Sequence, residues 1–347
     1  VLLVITVIAI AVLVKGADFL VDGASGLAYK LGLPKVIVGA TVVSLGTTSP
    51  ECAVSVVAAW SGNAGLALGN AVGSIIADTA LIFGLGSVLK ALPADRFVLN
   101  RQGWTQFGVA SMLAVICYAA WWNRGTTASL GRGIGVSLLL LLAAYLVMSV
   151  RWAKSHPHRE SLFPTSGELE KAALVSPLPA QEARRSSVVR LALLSVAGLG
   201  IVVVSSHVLI SAVAALAARW GVPQVVIAAT LVAVGTSMPE MVVGMVSIFR
   251  GAPELLVGNV IGADILNVLF VIGAAATARP LPLVETGTAM PNIFLLLHLP
   301  VMILVLALFR IYIFRALRRG RFERWIGFPL LFIYVAYAVV QYVLGRA

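Results

Sequence analysis

Glu51, Asp78, Glu240 and Asp264 are carboxylates set deep in long apolar stretches, where an ionised side chain is costly and usually tied to function. No Lys or Arg occurs between Val36 and Leu89, and only Arg250 between Val225 and Thr277, so these acids have no salt-bridge partner along their own segments. Their charge must be balanced by bound cations or by protons. Beside them stand the hydroxyls of Thr47, Thr48, Thr236 and Ser237 and the amides of Asn70 and Asn259. Together with freed backbone carbonyls these form an all-oxygen ligand set, which suits hard cations such as Ca²⁺ or Na⁺ and not the softer transition metals.

The residues come in two sets because the segments that carry them are copies. Residues 32–84 and 221–273 align without a gap at an offset of 189, with 19 of 53 positions identical. Glu51 thereby matches Glu240, Thr47 matches Thr236, Pro50 matches Pro239 and Asn70 matches Asn259. Gly46 and Pro50 precede Glu51 as Gly235 and Pro239 precede Glu240. A proline inside a helix removes a backbone hydrogen bond, kinks the helix and frees a carbonyl. Gly69–Gly73 and Gly258–Gly262 are expected to loosen the following helix similarly, which this depth tolerates only where the backbone lines a cavity or is buried in protein. Intramembrane Pro and Gly also serve as plain kinks and packing notches, but the recurrence of Glu with the same Thr and Pro favours a site. Asp18 and Asp22 are weaker candidates, since Lys15 lies three residues before Asp18 and can pair with it. His207 aligns with Asp18 and reads as a satisfied buried histidine, while His156, His158 and His298 carry no site pattern.

Around these residues the chain is 60% hydrophobic and 11% charged over 347 residues, with a mean hydropathy of +1.01. That is far from a soluble domain, where charged residues supply roughly a quarter. Ten stretches meet the ~20-residue length of a membrane helix: about 2–24, 36–60, 65–89, 104–122, 133–151, 191–217, 224–249, 254–277, 291–309 and 326–344. The polar segment 152–189 divides them into two sets of five. The expected fold is an all-α membrane protein with ten transmembrane helices arranged as two inverted-topology five-helix repeats, helices 2, 3, 7 and 8 being kinked or broken. The domains are an N-terminal repeat, 1–151 (motif 39–84), a cytoplasmic linker, 152–189, and a C-terminal repeat, 190–347 (motif 228–273). Five crossings separate the two copies of the motif, so they run in opposite directions and meet near the midplane.

The net charge of +11 is explained by topology rather than by nucleic acid, which is not expected as a partner. With the N-terminus outside, 19 of 25 Lys and Arg fall on one side, including six over 310–324, five fall on the other and Lys15 lies inside a helix. The positive-inside rule makes the crowded side cytoplasmic. The first apolar run has no basic n-region and exceeds a signal h-region in length, so it reads as a retained helix. Cys52 and Cys117 both fall within expected helices, where neither a structural disulfide nor a cysteine metal site is expected.

The motifs Gly-Thr-Thr-Ser-Pro-Glu at 46–51 with Gly-Asn-Ala-Val-Gly-Ser at 69–74, and Gly-Thr-Ser-Met-Pro-Glu at 235–240 with Gly-Asn-Val-Ile-Gly at 258–262, resemble the α1 and α2 repeats of the cation/Ca²⁺ exchanger superfamily, in its prokaryotic Na⁺/Ca²⁺ branch. The resemblance implies an antiporter, not an enzyme, that exports Ca²⁺ in exchange for Na⁺ by alternating access. It also implies the prokaryotic inner membrane, a monomer and no cofactor besides the transported ions. Glu51 and Glu240 become central ligands, with Thr47, Thr48, Thr236 and Ser237 around them and Ser74, Asp78 and Asn267 at the remaining side-chain positions. The chain departs from the family where Gly73-Ser74-Ile75 and Gly262-Ala263-Asp264 replace the usual Gly-Ser-Asn. Ala263 lacks a hydroxyl, and Asp78 and Asn267 exchange the acid and the amide. Asp264 is additional; three residues before Asn267, it lies about 60° around the helix and either adds a cation or proton site or faces another helix. The alternative is a H⁺-coupled exchanger on the same scaffold, with H⁺ and K⁺ as further candidate ions. A passive channel uses similar ligands without needing an inverted repeat. An intramembrane hydrolase is distant, because His-Glu-x-x-His is absent and only a fragment of Gly-x-Gly-Asp occurs.

Overall fold

The computed structural model describes residues 2–33, 35–155, 186–219, 236–284 and 293–344. The helices are α1 (Leu2–Leu31), α2 (Lys35–Thr47), α3 (Ser49–Trp60), α4 (Ala64–Leu89), α5 (Arg96–Arg124), α6 (Arg132–Lys154), α7 (Val188–Arg219), α8 (Met238–Phe249), α9 (Pro253–Ala278), α10 (Phe294–Arg319) and α11 (Gly327–Leu344). Among the described residues eight helical stretches are long and apolar enough to cross a membrane, and the bent pair α2–α3 makes a ninth. The protein is an all-helical integral membrane protein. Of the stretch expected over 224–249, only α8 and the two residues before it are described, and residues 156–185 of the linker lie outside the described part.

Local sequence explains the helix ends. The Asn63 side chain accepts from the Leu66 N–H at 2.9 Å to cap α4, and Asp95 accepts from Val98 at 2.9 Å to cap α5. Such caps satisfy amides that have no partner within the helix. The Asp95 cap starts α5 eight residues before the expected 104, because it places Gln102 and Gln106 on a buried helical face. Gly62 (φ +82°) and Gly251 (φ +70°) reverse the chain after α3 and α8 in the left-handed region. They are 189 positions apart, like the motifs.

The expected kink in helix 2 is present: α2 and α3 meet at 41°. Pro50 has no amide to give to the Gly46 carbonyl four residues back. Helices 3 and 8 differ from expectation, since neither is broken at its Gly-Asn motif. Both α4 and α9 run through it and widen into π turns one step later, at Ala77–Ile82 and Asn267–Ile272. In α9 the motif glycines serve close approach instead. A Cβ on Gly258 would lie 2.0 Å from the Val36 carbonyl oxygen, and one on Gly262 2.5 Å from the Ala40 Cα. They allow α9 to lie directly on α2 with the helical hydrogen bonds intact.

α9 is the centre of the bundle, with every side chain from Leu255 to Leu269 buried. The periphery presents apolar residues outward, such as Leu3 and Val7 on α1, Leu140 and Val147 on α6, Val196 and Val204 on α7, and Phe332 and Val335 on α11, as a lipid-facing surface requires. α1 packs along α7 through small residues: a Cβ on Gly198 would lie 2.4 Å from the Leu20 amide nitrogen, and one on Gly16 2.6 Å from Ile201. This is the close helix approach that small residues permit in membranes.

Two short antiparallel ladders tie the chain together. β1 (Leu92–Pro93) follows α4 and pairs with β4 (Arg321–Phe322) between α10 and α11. β3 (Leu281–Pro282) follows α9 and pairs with β2 (Ser129–Leu130) between α5 and α6. Leu92-Pro93 and Leu281-Pro282 are again 189 positions apart. Beside β4, Glu323 takes hydrogen bonds from Trp325 and Arg315, which hold its carboxyl down at about 2.

Several charged residues lie elsewhere than expected. Arg250, at the end of α8, reaches α1 and pairs with Asp22 at 2.6 Å and Asp18 at 3.3 Å, while Lys15 stands 3.9 Å from Asp18. The two acids of α1 are thus held mainly from another helix. Arg310, counted with the cytoplasmic bases, is instead buried in α10, donating to the Leu99 carbonyl at 3.2 Å with its guanidinium 4.0 Å from the Trp104 ring. His207 is exposed, because Ser205, Ser206 and Leu209 take the inward face of that part of α7.

Candidate cation site

The residues of the two copies converge between α2–α3, α4, α8 and α9. Thr47, Thr48, Glu51, Ser74, Asp78, Asn70, Ser237, Glu240, Asn259, Asp264 and Asn267 are all buried, and Thr236, at the edge of the described second copy, is half-buried. The bend at Thr48 turns Thr47 and Thr48 toward the other copy. The Thr47 hydroxyl donates to Asn259 Oδ1 at 3.3 Å, and the Thr48 hydroxyl to Glu240 Oε1 at 3.4 Å. Asn70 binds back within its own copy, donating to the Glu51 carbonyl at 3.2 Å and to Ser55 Oγ at 3.0 Å.

What these contacts leave unpaired defines the site. Glu51 Oε1 and Oε2, Asp78 Oδ1 and Oδ2, Glu240 Oε2, Asp264 Oδ1, Asn267 Oδ1, Ser74 Oγ and Ser237 Oγ are buried without a hydrogen-bond partner among the described residues. A buried carboxylate left in this way carries a large desolvation cost. No Lys, Arg or His pairs with any of the four acids among the described residues. Glu51, Asp78 and Glu240 are within electrostatic range of one another, and Asp264 joins them through Asp78. No group of three or more His, Cys, Asp or Glu converges as a metal centre among the described residues. Carboxylates separated by hydroxyls and amides give a loose oxygen environment, which hard cations accept. Asp78 and Asn267 both sit at π turns, a distortion frequent at functional positions.

The two copies are not equivalent. Glu240 takes a hydroxyl from Thr48, whereas both oxygens of Glu51 and the Ser237 hydroxyl are unpaired among the described residues. Asp264 reaches α4 and α5, where its Oδ2 accepts from Thr79 Oγ1 and Gln106 Nε2, each at 2.5 Å. Thr79, Gln106 and Ser55 belong to this polar layer and are not apparent from the motifs. Ser55 lies one helical turn after Glu51, and Gln102 and Gln106 are a polar i, i+4 pair in an apolar helix. That spacing is the signal that marks them.

The chain is 28% identical over 355 residues to the sodium/calcium exchanger MaX1 of Methanosarcina acetivorans, covering 97% of each. It is 29% identical over 274 residues to the inner membrane protein YrbG of Escherichia coli, covering 79% of each. Its fold matches that of the sodium-calcium exchanger NCX_Mj soaked with 2.5 mM Na⁺ and 10 mM Sr²⁺, with a TM-score of 0.76 over 98% of each chain and 23% identity, a likeness of fold alone. The sequence model of the sodium/calcium exchanger protein family matches residues 1–151 and 190–343. With both copies of the acid-bearing motif inside the matched segments, the chain belongs to the sodium/calcium exchanger family.

Proposed function

We propose that the protein is a secondary antiporter that exports Ca²⁺ from the cytoplasm in exchange for Na⁺. The observation that carries this reading is the set of buried, unpaired oxygens from both copies, with four acids and no basic partner among the described residues. Glu51 and Glu240 are the central ligands, with Thr47, Thr48, Thr236, Ser237, Asn70, Asn259, Ser74, Asp78, Asp264 and Asn267 around them. One divalent ion or several monovalent ions satisfy the same oxygens, so Ca²⁺ and Na⁺ compete. Carrying the acids across bare costs several kcal/mol, so inward and outward states interconvert when cations balance the charge, which is antiport. MaX1, named as a sodium/calcium exchanger, supports the choice of ions.

The repeats are read as inverted, forming two five-helix halves, 1–151 and 190–347, joined by a cytoplasmic linker. The ladders support this. α5, about 43 Å long at 1.5 Å per residue, runs from β1 to β2, which therefore lie at opposite ends of the bundle. β3 pairs with β2, so the C-terminal ends of α4 and α9 lie on opposite sides.

The test is reconstitution in Na⁺-loaded liposomes, with ⁴⁵Ca²⁺ uptake measured under an outward Na⁺ gradient and, separately, under a pH gradient of equal size. Uptake that needs the Na⁺ gradient and disappears in Glu51→Gln and Glu240→Gln is expected. Uptake under the pH gradient alone transfers the protein to H⁺ coupling, and none under either gradient removes Ca²⁺ as the substrate.

A further inference from the structure

Among the described residues Asp264 is the acid of the site that is also held by a side chain from outside the repeated segments. Gln106, on α5, and Thr79, on α4, both donate to its Oδ2 at 2.5 Å, and all three side chains are buried. Both donors are neutral, so they fix the carboxylate plane without cancelling its charge. The other oxygen, Oδ1, has no partner among the described residues. Thr79 directly follows Asp78, and the clamp therefore also ties the π turn bearing Asp78 to α9. Both Asp78 oxygens are unpaired among the described residues, and the Asp78 carboxylate lies within electrostatic range of Asp264. Arg310, the one Lys or Arg buried among the described residues, donates to Leu99 and faces Trp104 and Phe314, and it pairs with neither acid.

We propose that Asp264, oriented by Gln106 and Thr79, forms with Asp78 a second cation subsite, lateral to the Glu51–Glu240 pair, that takes a hard monovalent cation. Two buried carboxylates with unpaired oxygens and no paired base among the described residues call for a bound cation or a proton there. A second divalent ion is disfavoured because Asp78 also faces Glu240, and two dications on adjoining acids repel each other strongly in a low-dielectric interior. Na⁺ meets the need with carboxylate oxygens and less repulsion. Gln106 and Thr79 act as positioning residues and need not touch the ion. The proposal rests on the exchanger reading for its biological use, but the binding it asserts is measurable without transport.

Binding of ²²Na⁺ to the purified full-length protein in detergent, counted per chain, tests it. Asp264→Asn is expected to bind one Na⁺ fewer than the unmodified protein. Gln106→Leu, which keeps the acid and removes a donor, is expected to retain the count and weaken binding at that one site about tenfold, with the melting temperature recorded for both. Gly108→Ala, an exposed position on α5, serves as the control. An unchanged count and affinity in Asp264→Asn overturns the subsite, as does an absence of Na⁺ binding in the unmodified protein. If Asp264→Asn does not fold, the Gln106→Leu affinity decides alone. A protein that binds Na⁺ in this pattern yet carries no Ca²⁺ in liposomes would refute the exchanger reading and leave the subsite standing.

Discussion

The central glutamates are chemically alike but differently partnered, and that difference is testable at single atoms. Glu240 takes the Thr48 hydroxyl at 3.4 Å, while Glu51 has neither oxygen bonded among the described residues. A hydrogen bond to a charged group contributes about 1.5–3 kcal/mol, and the long distance places this one at the low end. Thr48→Val, which keeps the shape and removes the hydroxyl, is therefore expected to weaken the apparent affinity for Ca²⁺ roughly tenfold, with Thr48→Ser restoring most of it. The reading is the apparent KM for Ca²⁺ in reconstituted exchange, and a Thr48→Val variant with unchanged KM would remove Thr48 from the site. Glu51, Glu240, Asn259 and the hydroxyl of Thr48 are legible in the sequence because duplication marks them twice, and Asp78 and Asp264 because they stand without a base in long apolar stretches. Thr79 carries no such mark and Gln106 only its i, i+4 spacing from Gln102, because their role depends on α4 and α5 packing beside Asp264, a tertiary contact that no repeat encodes. The same limit hid the pairing of Arg250 with Asp18 and Asp22, residues 228 or more positions apart in the chain.

At the level of helices, the glycines of the repeated motif had two physical readings, loosened backbone or close approach, and α9 takes the second. Spans follow from composition and the Pro50 bend from the missing proline amide; the bend is found, and among the described residues eight spans and the bent pair stand out, with the stretch over 224–249 described only from 236. The π turns at 77–82 and 267–272 have no Pro to announce them, since they arise from how α4 and α9 pack, and the sequence is silent on them. Close approach makes a sharp prediction. Alanine in place of glycine inside a helix ordinarily gains about 1 kcal/mol, but at Gly258 the new Cβ would meet the Val36 carbonyl oxygen at 2.0 Å and the Ala40 amide nitrogen at 3.0 Å. Backbone atoms cannot swing aside, so α9 must shift from α2, at a typical overpacking cost of about 1–3 kcal/mol. Gly258→Ala is expected to lower the melting temperature in detergent and to reduce exchange, because α2 carries Thr47 against Asn259. Gly108→Ala, with nothing within 4 Å of its Cβ among the described residues, is expected to be neutral or slightly stabilising. Equal melting temperatures for the two would show that Gly258 is not a contact position.

For the whole molecule, the decisive question is whether the two copies point in opposite directions, because only then do two equivalent half-sites build one centre reachable alternately from either side. The ladders make this testable without ions or transport. Arg321 in β4 and Pro282 in β3 are both exposed, and each stands beside a partner from the other half of the chain, Pro93 and Ser129 respectively. If α4 and α9 run antiparallel, these two residues lie on opposite membrane faces, Arg321 with the crowded basic side and Pro282 with the other. Single cysteines, Arg321→Cys and Pro282→Cys, placed in a Cys52→Ala, Cys117→Ala background, report this directly. A membrane-impermeant maleimide added to intact cells is expected to label Pro282→Cys and to leave Arg321→Cys unlabelled until the membrane is opened. The reverse pattern keeps the inverted repeat and moves the N-terminus to the cytoplasm, which would also reverse the assignment of the basic loops. Labelling of both from one side would mean that the copies run parallel, and the shared centre between Thr48 and Glu240 would then need a different explanation.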